Sequence, residues 1–287
     1  MISDKELKVL IEKVMNEIKK DDTPKAESRN DNNNGEIRDI TAKPIQDVFY
    51  VPNPKNKDQY LKLKKKTAAR LGIWRTGPRN TTETLLRFRA DHAVAQDAVF
   101  SYVDEDFLKE MNLFTVQTKV TDKDEYITRP DLGRQFDEEN TKLMKEKCKA
   151  KPRVQIYVAD GLSSTAIEAN LKDILPAITA GLKGYGIDYG TPFFVKYGRV
   201  GSMDAVSEAL DAELTIVLIG ERPGLATGES MSCYMTYKAY PGIPEAKRTV
   251  VSNIHKDGTP AAEAGAHIAS VIKIILEKKM TGVGLNL

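Results

Sequence analysis

The chain is poor in residues that usually do metal or redox work. It has two cysteines, Cys148 and Cys233, three histidines and one tryptophan among 287 residues. The cysteines lie far apart without metal-ligand spacing, and two reduced thiols in a cytoplasmic protein account for them. No apolar run approaches the roughly 18 residues of a membrane helix, and the N-terminus lacks the apolar core of a secretory signal. An excess of one charge is missing too. The 43 basic and 41 acidic side chains leave a formal charge of +2, which gives no general attraction to nucleic acid or to an anionic membrane. Aromatics make up 7% and do not alternate with basic residues as they do where single strands are gripped. There is no G-x-G-x-x-G fingerprint, Walker loop, G-x-S-x-G elbow, His/Cys cluster or evident carboxylate dyad. These absences argue against an independent nucleotide enzyme. They also leave no catalytic residue and no metal site to nominate, so the chain does not look like a complete catalyst by itself.

What is present is an ordinary globular composition, 41% hydrophobic and 29% charged. A chain of this size buries roughly 70–75% of its unfolded surface, and its length allows one or two domains. Four stretches differ in character. Residues 1–20 contain "SDKELKVLIEKVMNEIKK", in which Leu7, Leu10, Ile11, Val14, Met15 and Ile18 make a helical stripe. Residues 21–40 are Asn/Asp-rich and offer too little apolar surface to offset ordering, so a disordered linker is expected. A short amphipathic helix on such a tether reads as a docking or targeting peptide, against the plainer alternative of a frayed terminal helix.

Residues 41–150 read as mainly helical. The clearest helix spans "NTTETLLRFRADHAVAQDAVFSYV", residues 80–103. Asn80 is the expected N-cap with Glu83 closing a capping box, and Leu85, Phe88, His92, Ala95 and Val99 share a face. A second helix is expected over Gly133–Cys148.

From about 153 to the end, apolar strands alternate with helices: "VQIYVAD", "TPFFVKYGRV", "ELTIVLIGE", "SMSCYMTYKAY" and "RTVVSNIH" are strands. Such near-continuous apolar strands imply a mostly parallel, Rossmann-like α/β sheet covered by helices on both faces. Pro176 should kink the first of its helices. Ligands of such sheets sit outside the carboxyl ends of strands, which selects three loops: "DGLSS" (160–164), "GRVGS" (198–202) and "GERPGLATGES" (220–230). Ser163 or Ser164, and Ser202, are expected to cap the following helices, where free amides could hold a phosphate. Each loop alone is better explained as a tight turn. "NIHKDG", Asn253–Gly258, is similar to the Asp-x-His-x-x-Gly motif with which some corrinoid enzymes ligate cobalt. Here Asn253 replaces the aspartate that would orient the imidazole, which argues against ligation by His255.

"FRADHAVAQDAV", "VADGLSSTAIEAN", "IGERPGLATGESMSCYMTY", "RTVVSNIHKDGTPAAEAGAHIA" and the closing "KKMTGVGLNL" closely resemble the small (light) subunit family of ethanolamine ammonia-lyase, over about residues 66–287. The resemblance implies an adenosylcobalamin-dependent enzyme that converts ethanolamine to acetaldehyde and ammonia by a radical begun at the carbon–cobalt bond. It implies a large catalytic subunit as partner, with residues 41–150 packing on it and residues 151–287 covering cobalamin at the interface. It implies cobalamin whose own benzimidazole stays on cobalt, in keeping with the poor histidine motif. Carried onto this chain, the family's cobalamin contacts are Val200, Glu221 and Val250. Val250 stands where relatives carry Cys, a change that a backbone or packing contact tolerates and a thiol contact does not. Some relatives reside in ethanolamine-utilisation microcompartments, so residues 1–20 are expected to address shell proteins. The competing reading is a non-catalytic binding or scaffold protein of such a compartment.

Overall fold

The computed structural model describes residues 39–67 and 69–285. The N-terminal stripe at 1–20 and the linker up to residue 38 lie outside the described residues. The described residues from Lys43 onward form one compact unit, and residues 39–42 fall outside it.

In chain order the compact unit begins with α1 (Lys57–Lys64), the small antiparallel pair β1 (Arg75–Thr76) and β2 (Arg79–Asn80), and the long helix α2 (Thr82–Phe100). Then follow α3 (Glu105–Glu110), β3 (Phe114–Gln117), α4 (Lys123–Thr128) and α5 (Glu138–Lys147). The remainder alternates as expected: β4 (Val154–Ala159), α6 (Ser164–Gly184), β5 (Phe193–Lys196), α7 (Ser202–Leu210) and β6 (Leu214–Gly220). It closes with β7 (Met231–Tyr237), β8 (Thr249–Ile254) and α8 (Ala261–Lys278). Helix α6 continues through Pro176.

The main sheet has six strands in the order β3-β5-β4-β6-β7-β8. The first four are mutually parallel, and β7 and β8 return antiparallel. Every residue of β4 and β6 is buried, which is why they read as unbroken apolar runs rather than as alternation. One face of the sheet carries Val154, Ile156, Val158, Leu214, Ile216 and Leu218 against α6 and α8. The other carries Tyr157, Ala159, Phe193, Val195, Val217 and Ile219 against α5 and α7. Helices α6 and α8 approach closely because small residues meet: a Cβ on Gly265 would lie 2.6 Å from Ala177 Cβ and 2.8 Å from the Ile174 carbonyl.

The mixed α/β sheet follows the expectation, and the departures fall within 41–150. The helical reading of that region does not contain β3, which pairs in register with β5 along the sheet edge. Its four residues, "FTVQ", are mostly half-buried or exposed, too short and too mixed to show a period. Helix α2 starts later than expected, with Thr81 as N-cap and no side-chain capping bond, so the Asn80–Glu83 box does not form. Of its expected shared face Ala95 is buried and Phe88 and Val99 are half-buried, whereas Leu85 and His92 are exposed. Thr84, Arg87, Ala95 and Ala98 are buried, while Leu85, Leu86, Val94 and Phe100 are exposed. The polar residues turn inward because ion pairs satisfy them: Asp91 bridges Arg70 and Arg87. The expected helix at Gly133–Cys148 shortens to α5, preceded by a single 3-10 turn at Leu132–Arg134.

Candidate functional site

The loops after β4, β5 and β6 do gather at one end of the sheet, and the chain itself occupies much of the space between them. Asp160, 2% exposed at the end of β4, accepts backbone amides from Gly161 at 2.9 Å, Tyr197 at 3.0 Å and Gly198 at 3.1 Å. An intramolecular carboxylate thus takes the amides that an anionic ligand would need there. Gly161 adopts φ +58°, and a Cβ on it would sit 2.2 Å from the Gly220 carbonyl, so the β4 loop lies directly on the end of β6. Ser163 caps α6 as expected, accepting the Ala166 amide at 3.2 Å. Ser202 does not cap α7: Gly201 is the N-cap, and the Ser202 hydroxyl pairs with the Tyr157 hydroxyl at 2.9 Å.

A feature with no sequence signature supports this arrangement. Lys123, 4% exposed, places its ammonium 3.6 Å from Asp160. The same ammonium faces the rings of Tyr102, Tyr126 and Tyr197 at 5.3, 5.6 and 5.7 Å. Burial pushes the Asp160 carboxyl above its ordinary range, while Lys123 and the three amides pull it back. These contacts bind α4 to the turn at 197–200, but "TDKDEY" on its own reads as a solvated helix start.

The Gly-rich mouth at 221–230 is fastened to α6. The Gly228 carbonyl accepts from the Ser163 hydroxyl and, at 3.1 Å, from Thr165. Asn170 donates to the Glu229 carbonyl at 2.8 Å, and Arg70 to the Leu225 carbonyl at 2.7 Å. The Glu221 amide donates to the Ser230 carbonyl at 2.9 Å, closing the base of the loop.

Val200, Glu221 and Val250 come from three different elements and share one face of the sheet. Val200, in the turn before α7, packs against the cluster formed by α5, α7 and the strands. Glu221 follows β6 directly and accepts a hydrogen bond at Oε1 from the Tyr234 hydroxyl at 2.9 Å. Val250 on β8 stands opposite Tyr234 in register and is 46% exposed. Tyr234 packs on the same cluster as Val200. Beneath them Arg248 makes a two-pronged pair with Asp204, at 2.9 and 3.1 Å, and donates to Thr236 at 3.3 Å. That pair joins α7, four residues after Val200, to the start of β8, two residues before Val250. A cleft of about 540 Å³ beside α7 includes Arg134, Gly201, Asp204 and Glu245, and the three residues lie outside it. Val250 is exposed, and Val200 and Glu221 are half-buried. Glu221 Oε2 has no protein partner among the described residues.

His255 is turned to structural use. Its Nε2 lies 2.8 Å from Asn253 Oδ1, and Nδ1 accepts the Asp257 amide at 3.3 Å. Both ring nitrogens are engaged, which leaves no lone pair facing outward. Among the described residues no group of His, Cys, Asp and Glu is arranged to hold a metal ion, and no helix is long and apolar enough to cross a membrane.

Known proteins resemble this chain over most or all of its length. Residues 57–286 match the family model described as ethanolamine ammonia-lyase light chain (EutC). A protein of Fusobacterium nucleatum named ethanolamine ammonia-lyase small subunit is 59% identical over 295 residues, covering 100% of both chains. Proteins of the same name from Clostridium tetani and Clostridioides difficile are 56% and 54% identical, covering 100% and 99% of this chain and 100% of each relative.

Proposed function

The chain belongs to the ethanolamine ammonia-lyase light-chain family, and on that premise we propose that it covers adenosylcobalamin at an interface with a separate large subunit. As a small subunit it works with that partner. The complex converts ethanolamine to acetaldehyde and ammonia, and the large subunit supplies the catalytic groups. The observation that carries this reading is the co-facial placement of Val200, Glu221 and Val250 with one Glu221 oxygen left open.

A corrin is wide and flat, with an apolar face fringed by amides. Such a ligand is better met by an open patch on one partner than by an enclosed pocket. The two valines fit its apolar face, and the open carboxylate oxygen fits a side-chain amide donor. Bound cobalamin supplies a carbon–cobalt bond whose homolysis starts radical chemistry. This chain's residues bind and orient the cofactor and exclude water from its covered side. The exposed Leu85, Leu86, Val94 and Phe100 of α2 offer apolar side chains to the large subunit.

In the complex reconstituted with the large subunit, Glu221→Ala should weaken cobalamin binding by about 1.5–3 kcal/mol, the worth of a hydrogen bond to a charged group, with the melting temperature unchanged. Cofactor affinity equal to wild type would defeat the assignment. Ammonia release that needs no large subunit would defeat the division of labour. Residues 1–20 extend the reading to a microcompartment address. Fusing them to a fluorescent protein should carry it into the compartment, and Leu10→Glu with Val14→Glu should abolish that. A chain lacking residues 1–36 that no longer assembles with the large subunit would instead make the segment an assembly element.

A further inference from the structure

Strand β7 is buried from end to end except at two side chains. Met231–Cys233 and Met235–Thr236 are covered, while Tyr234 in its middle and Tyr237 at its end are half-open. A large aromatic opened in mid-strand marks a place where the helices covering that face stop. Sheet register puts Tyr234 directly opposite Val217 on β6 and Val250 on β8. Val217, Glu221, Tyr234 and Val250 therefore point to the same side of the sheet, by the two-residue alternation of strands.

We infer that Tyr234 is a positioning residue for the cofactor patch: its hydroxyl holds the Glu221 carboxylate in the orientation that receives a cobalamin side-chain amide. This rests on the reading of Glu221 as a cofactor contact. The bond from Tyr234 to Glu221 Oε1 is 2.9 Å long, within the normal range for a hydroxyl donor. It leaves Oε2 as the oxygen without a protein partner among the described residues. Burial, reinforced by the Glu221 charge, pushes the Tyr234 hydroxyl up to about 12. It therefore keeps its proton at neutral pH and acts as the donor. Glu221 begins a loop of glycines and small residues, and without this bond its side chain would be free to rotate. Fixing the rotamer during folding removes that cost from cofactor binding. The Glu221 backbone is held separately through its amide to Ser230, so the tyrosine controls the carboxylate and not the course of the chain.

The test is a double-mutant cycle on the complex with the large subunit, using Tyr234→Phe, Glu221→Ala and the double variant. Cobalamin dissociation constants come from equilibrium dialysis, and thermal midpoints are read beside them. Tyr234→Phe keeps the ring in place and should weaken cobalamin binding about three- to tenfold, the scale of coupling between side chains in contact, without moving the midpoint. In the Glu221→Ala background the same change should have no further effect. Tyr234→Phe with wild-type affinity, alongside a weakened Glu221→Ala, overturns the positioning role and leaves the cofactor reading standing. An equal loss in both backgrounds also overturns it, since the hydroxyl would then act without Glu221. A silent Glu221→Ala overturns the cofactor reading itself.

Discussion

The two faces of the central sheet are held by different physics. On one, Ile174, Ile178 and Leu182 of α6 and Ile268, Ile272 and Ile275 of α8 press on alternate residues of β4 and β6, all fully buried. The force there is burial and close packing, which has no preferred direction. On the other face, apolar contacts share the space with directional ones. Tyr157 stacks on Phe193 at 5.5 Å and Phe193 on Phe114 at 5.3 Å. Tyr157 also pairs with Ser202, Arg248 with Asp204, and Tyr234 with Glu221. Each polar bond fixes an element next to a residue proposed to meet the cofactor. The first face supplies stability that depends on volume. The second uses costly buried polar groups to set position, and the proposed cofactor contacts lie on that side.

The sharpest way to break the contrast is Arg248→Met. It leaves Asp204 buried without its cation, at a cost of about 3–5 kcal/mol, and it unties α7 from β8. Both stability in chemical denaturation and cobalamin affinity of the reconstituted complex should fall. Ile178→Ala on the opposite face serves as the matched control: it should cost about 2–5 kcal/mol while leaving the dissociation constant for cobalamin as it was. Equal effects of the two on cofactor binding would erase the distinction.

A smaller effect should appear in alkali. Burial raises the hydroxyls of Tyr157 and Tyr126 above the ordinary tyrosine range, and that of Tyr234 to about 12. Each holds its proton more tightly folded than unfolded. Their contribution is complete below the unfolded value of about 10 and is lost as pH climbs through the folded values. Melting temperature should be flat up to about pH 9 and fall above pH 10, with Tyr234→Phe flattening the fall slightly. A melting temperature that rises over that interval would contradict the buried, protonated state of these side chains.

Reading the sequence works best where one period dominates. From β4 onward each element falls within a few residues of its expected place, because strands buried on both faces and long amphipathic helices leave unbroken patterns. Helix α2 is harder to read. Apolar residues turned outward and an Arg/Asp cluster turned inward invert the usual rule, and only the ion pairs from Asp91 to Arg70 and Arg87 explain it. Strand β3 is hidden for another reason: an edge strand of four residues takes its identity from its neighbour β5. The loops at 160–164, 198–202 and 220–230 are legible as a group at the strand ends. That Asp160 takes the amides between two of them is not.

The sequence alone determined the layered α/β class, the strand-end position of the candidate loops and, through long matching segments, the family. These are set by local periodicity and by residues adjacent in the chain. The tertiary structure decided which side chains share a face and what holds them there. Tyr234 meets Glu221 only because β7 returns antiparallel beside β6. Arg248 reaches Asp204 only because α7 crosses over the face to which the start of β8 turns that side chain. Such contacts join residues distant in sequence, and their partners are chosen by register and crossover geometry, which no local pattern encodes.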